Sequence, residues 1–126
     1  MSSFLPPTKP REVVCFKPVL FNTQNEGKAY VFLAFDVYSK FMINTGIVTG
    51  LKPAEIMKQV FALMINQDFR KHDTPFTLIM DMAEDLEEEL NLIVEPFDGK
   101  VIFDQDYIEE KMSPEIDLML SFMQRA

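Results

Sequence analysis

A chain of 126 residues that is 48% hydrophobic, with 12 Phe and 9 Met, can bury one sizeable core without disulfide staples. Twenty acidic against twelve basic residues leave a net charge of -8, which disfavours autonomous DNA binding because that affinity depends on Lys and Arg neutralising phosphates. The lone Cys15 excludes an internal disulfide, no run reaches the roughly 18 apolar residues of a membrane span, and MSSFLPPTKPR lacks a basic start and an apolar signal core; the expected location is cytoplasmic.

Residues 1–10, with Pro6, Pro7 and Pro10, read as an extended Pro-rich arm, and residues 11–126 as a single domain. Val13–Phe21 favours a strand, interrupted by Pro18. After the turn-forming NTQNEGK, Ala29–Phe35 is almost wholly apolar and suits a strand covered on both faces. The polar VYSK turn leads into a third strand, Phe41–Val48, so the first three should pair as an antiparallel meander.

The period then changes. Pro53 suits a first helical position, and Ile56, Met57, Val60, Phe61, Met64 and Ile65 form one broad helical face running to about Asn66. Residues 68–75 read as loop and FTLIMD (76–81) as a short strand. AEDLEEELNL (83–92) begins with acids, which suits a helix N-terminus. KVIFD (100–104) is a fifth strand, and Ser113-Pro114-Glu115 opens a closing helix whose apolar mass includes Phe122 and Met123. The pattern βββ-α-β-α-β-α predicts an α/β fold: a mixed five-stranded sheet with helices packed on it.

Asp36 and Asp81 each stand at a strand end. Asp36 closes the most apolar segment and is either a metal ligand or the start of a turn, since Asp side chains accept backbone amides two residues on. Asp81 ends the fourth strand, where ligands of open α/β sheets bind, and an Asp before a helix is also a routine cap. His72 is the only histidine and lies in the polar stretch Arg70–Asp73, the one basic cluster. Cys15, on an apolar strand, reads as a buried structural thiol. Consecutive acids at Glu84, Asp85, Glu87, Glu88 and Glu89 scatter around a helix and read as a solvated face.

EGKAYVFLAFDVYSK resembles the catalytic cores of retroviral-type integrases and insertion-sequence transposases, with Glu26, Gly27, Tyr30, Asp36, Tyr38, Ser39 and Lys40 in ungapped register. Pro75 and LIMD (78–81) resemble the Pro, strand and Asp that carry the family's second acidic residue. The resemblance spans about residues 11–120 and implies a ribonuclease H-like fold, with helices on both faces of the sheet. It also implies two-metal phosphoryl transfer on three carboxylates holding Mg2+ or Mn2+. Asp81 matches the second of these. The register puts Pro18 at the first, and no Asp occurs in residues 1–35. Glu115 and Asp117 are available for the third, without the small polar residues that normally precede it, and Met82 and Ala83 replace the family's usual residue and Gly after the Asp. Asp36 corresponds to a non-catalytic corner position. The implied protein is a degenerate core acting through protein contacts, as a homodimer, with Asp81 a vestigial residue and no metal or cofactor expected. The alternative is a divergent Mg2+- or Mn2+-dependent nuclease or strand-transferase using Asp81 with Glu115 or Asp117 and Asp36.

Overall fold

Two backbone hydrogen bonds orient the first strand. Val37 N–H donates to the Val13 carbonyl and Thr77 N–H to the Glu12 carbonyl, each at 3.1 Å. Odd-numbered residues of this strand therefore turn their peptide groups to one neighbour and even-numbered residues to the other. The computed structural model, which describes residues 6–23 and 27–125, resolves the consequence as a sheet of order β3-β2-β1-β4-β5. Strands β1 (Val13–Thr23), β2 (Gly27–Asp36) and β3 (Met42–Val48) form the antiparallel meander, and β4 (Phe76–Met80) and β5 (Gly99–Phe103) continue the sheet parallel to β1. Glu26 and the side chains of Phe122 and Met123 lie outside the described residues.

Pro18 does not interrupt β1. The register with β2 runs unbroken from Val14–Asp36 to Thr23–Gly27. As an even-numbered residue, Pro18 turns its imide nitrogen toward the β4 side, but the ladder with β4 ends at Phe16–Met80. The missing N–H thus falls where β1 has become an edge and no ladder bond is lost.

Alternation along the strands sorts the core into two layers. On one face Val14, Phe16, Phe32, Ala34, Leu78 and Met80 pack under α1 (Pro53–Met64) and α3 (Glu87–Val94). On the other, Cys15, Val31, Leu33, Phe35 and Ile79 pack under α4 (Gln105–Lys111) and the start of α5 (Ser113–Arg125). Helices thus cover both faces. The segment read as loop contains one turn of helix, α2 (Gln67–Arg70), started by the Asn66 side chain accepting the Asp68 and Phe69 amides at 2.9 and 3.1 Å. The helix expected from residue 83 starts as a 3-10 turn, Glu84–Leu86, before α3. Helix α4 was not evident from periodicity; Asp104 starts it by accepting the Tyr107 amide at 3.0 Å.

At the β3 edge, Phe32 pairs with Gly46 and Leu33 with Asn44, leaving Thr45 as the extra residue of a bulge. Thr45 Oγ1 donates to Gln59 Oε1 at 2.9 Å, and a Cβ on Gly46 would run into the same buried Gln59 side chain.

The entry to β1 is held by Arg11, which is only 8% exposed. Its guanidinium lies 5.0 Å from the ring centroids of both Phe69 and Phe76. It donates to Thr74 O from Nε (3.0 Å) and Nη2 (2.7 Å), to Phe69 O from Nη1 (3.3 Å) and to Phe97 O from Nη2 (3.4 Å). Arg11→Met keeps the apolar stem and removes every one of these bonds, stranding carbonyls in the interior. The expected cost is about 2–4 kcal/mol, read as a lower urea midpoint with an unchanged slope.

Candidate functional site

Asp36 starts the β2–β3 hairpin and its carboxylate is spent on holding it. Oδ1 accepts the Arg11 and Tyr38 amides, each at 3.3 Å, and Oδ2 accepts the Ser39 hydroxyl at 2.7 Å. Ser39 Oγ in turn accepts the Phe41 amide at 3.2 Å. Lys40, at φ 62°, takes the left-handed position that closes the loop, with its amide 2.7 Å from the Asp36 carbonyl. Of the residues in this stretch that the resemblance rests on, Asp36, Ser39 and Lys40 are accounted for by hairpin geometry, and Tyr38 is exposed.

Asp81 lies one step past the end of β4, on the face that carries Cys15 and Ile79. Extending the β1–β4 register by one residue places Lys17 opposite it, and Lys17 Nζ stands 3.4 Å from Asp81 Oδ2. Both side chains are largely covered, 23% and 16% exposed. Asp81 Oδ1 is buried without a hydrogen-bond partner among the described residues. Pro18, being even-numbered, belongs to the opposite face of the strand. The same extension of the β4–β5 register puts Asp104 beside Asp81. Lys17, Asp81 and Asp104 therefore stand in a row at adjacent strand positions. Neither Lys17 nor Asp104 stands out in the sequence as a site residue, although KVIFD ending in Asp mirrors LIMD ending in Asp.

The row reaches down to Cys15, two residues before Lys17 on the same face. Burial pushes the Cys15 thiol up to about 12, with Asp104 and Asp81 adding to the effect and Lys111 opposing it. Tyr107, which α4 lays on this layer, is likewise raised to about 12, mainly by burial, then by Cys15, Glu110 and Asp104. Both groups stay protonated and uncharged near neutral pH, so Cys15 is no nucleophile.

The other acids stand apart. Glu115 and Asp117 occupy the first turns of α5 on either side of buried Ile116, with Asp117 exposed. The acids from Glu84 to Glu89 are all exposed, as is His72. Among the described residues, no three His, Cys, Asp or Glu side chains come together to hold a metal ion. A paired-dication site needs several hard, negatively charged oxygens. A lysine ammonium beside Asp81 supplies the wrong charge, so these residues do not fit the two-metal arrangement.

No family model matches the chain, and no curated protein matches it. Solved structures do. The fold is similar to a chain of the simian T-cell lymphotropic virus intasome, solved with the PP2A regulatory subunit B56 gamma, with a TM-score of 0.57 and 9% identity. It is also similar to the Mos1 transposase catalytic domain, solved with raltegravir and Mg, with a TM-score of 0.51 and 13% identity. These matches take in 75% and 72% of this chain but only 32% and 49% of the others. At such identities the likeness establishes the fold alone, the ribonuclease H-like fold of integrase and transposase catalytic domains.

The turn after Asp81 holds a left-handed alanine. Ala83 stands at φ 71°, ψ 35°, in the left-handed region where a side chain costs energy and glycine does not. Ala83→Gly should therefore stabilise the protein by about 0.5–1 kcal/mol, the relief of strain exceeding the added freedom of the unfolded chain. Thermal unfolding checks this as a rise in midpoint.

Proposed function

We propose that this chain is a non-catalytic integrase-core-like domain that acts through protein contacts. The observation that carries the reading is the Lys17–Asp81 pair. In a two-metal centre the strand residue facing this Asp would add negative charge. Here it adds an ammonium 3.4 Å away, which occupies by its own charge the ground a cation would need. The acidic balance of the chain and the apolar side chains on its surface, Phe61, Ile65, Leu92 and Leu118, each about half exposed or more, support contacts with protein over contacts with nucleic acid.

Calorimetric titration with Mn2+ tests the first half. The wild type should show no saturable micromolar binding, and Lys17→Ala should leave Asp81 with too few ligands to create it. Micromolar binding by the wild type that disappears in Asp81→Asn, or Mn2+-dependent DNA cleavage with the same dependence, would favour the nuclease alternative.

A homodimer is the simplest partner arrangement that would cover exposed apolar helix surface. Light scattering at high protein concentration should give twice the 14.6 kDa chain mass; a strictly monomeric mass would leave only contacts with other proteins.

A further inference from the structure

Between α2, the β2–β3 hairpin and Pro10 lies a hollow of about 260 Å³, three positions back along β1 from the Lys17–Asp81 pair and on the opposite face of the sheet. Its floor is Val14 and Ala34, both 2% exposed, and its walls are Phe41, Ile43 and Phe69. Ala34 is what makes the hollow: the meander brings a small side chain to the place that a larger one would fill. The volume lies just below the range of ~300–1,000 Å³ usual for ligand sites, which suits one ring or branched chain and excludes a nucleotide.

The polar groups around the hollow differ in how much bonding capacity they have left. Asp36 already accepts three hydrogen bonds, and Ser39 both donates one to it and accepts one. Asp68 meets the Lys71 ammonium through Oδ1 at 3.1 Å, an exposed pair of the kind that solvent screens heavily. On the donor side, Lys71 can leave that pair at little cost, and His72 makes no hydrogen bond or ion pair among the described residues. Arg11, in the wall, carries a charge that no ion pair neutralises among the described residues, and its Nη1 uses one of two N–H groups. Asp36 and Ser39 are engaged, Asp68 holds only its exposed pair, and Lys71, His72 and Arg11 Nη1 keep donor capacity.

We propose that this hollow binds a small carboxylic acid with an aromatic or branched apolar body. The body would lie on Val14, Ala34 and Phe41, and the carboxylate would meet Lys71 and His72 at the rim within the field of Arg11. The assignment is independent of any role for Asp81.

Amide-detected NMR titration with phenylacetate, and with phenylacetamide as its uncharged match, tests it. Phenylacetate should give saturable shifts at Val14, Ala34, Phe41, Phe69 and His72, and the amide should bind about tenfold more weakly for want of charge-assisted hydrogen bonds. Lys71→Glu, on the exposed rim, should weaken phenylacetate by about two- to fivefold without altering thermal unfolding. Ala34→Leu should abolish binding, its own spectrum reporting whether it folds. The proposal is overturned by the absence of saturable shifts at these residues, by equal affinity for acid and amide, or by indifference to Lys71→Glu. Binding of a peptide ending in a free phenylalanine carboxylate, with none of phenylacetate, would overturn it in favour of a chain terminus.

Discussion

A buried guanidinium with no carboxylate in ion-pair contact among the described residues sets the terms of this structure. Arg11 is satisfied instead by carbonyl oxygens at chain turns: Phe69 in α2, Thr74 before β4 and Phe97 before β5. Carbonyls near helix ends carry partial negative charge, so several of them can stand in for an anion without adding a second buried ion. Burial lowers the Arg11 pKa while Asp73 and Asp98, at the same loops, raise it. One side chain thereby joins the start of β1 to the approaches of β4 and β5, the two strands that must run parallel to one another and to it. The left-handed backbone at Arg11, φ 70°, aims the side chain at those loops, and the Arg11 amide reaches Asp36 at the hairpin. Four strand ends meet at one residue.

Much of the architecture was legible because its signals are periodic. The meander, the helix at Pro53 and the strands at 76 and 100 follow from alternation and turn residues, and the mixed five-stranded sheet agrees with the fold the resemblance implies. What escaped has physical reasons. Helix α2 is one turn long, too short for any period to show, and exists because Asn66 supplies a cap. Helix α4 buries Tyr107 and Ile108 over seven residues and is likewise carried by a cap, Asp104. Arg11 could not be recognised as a core residue, since its partners are backbone atoms far along the chain.

The site was legible in part. Asp81 lies at a strand end as its sequence suggested, but its neighbour did not follow from counting. Side chains on a strand alternate, so a one-residue difference in register moves a residue to the other face. Ungapped extension from Asp36 points to Pro18, whereas the residue that meets Asp81 is Lys17. Only the pairing of β1 with β4 separates the two. Asp81 therefore faces an ammonium, where ungapped extension points to a proline.

The bulge at Thr45 has a wider meaning for how the chain behaves in a crowded solution. Strand β3 lies at the edge of the sheet, and its sequence MINTGIV carries no charge and no proline, the usual deterrents to unwanted strand addition. An irregular backbone, pinned through Thr45 to Gln59, takes their place. Such protection is geometric, so it belongs to the folded hairpin and is lost when β3 detaches. The segment's tendency to self-associate should then follow the fraction of molecules locally open at that edge, coupling solubility to native-state breathing more than to surface composition.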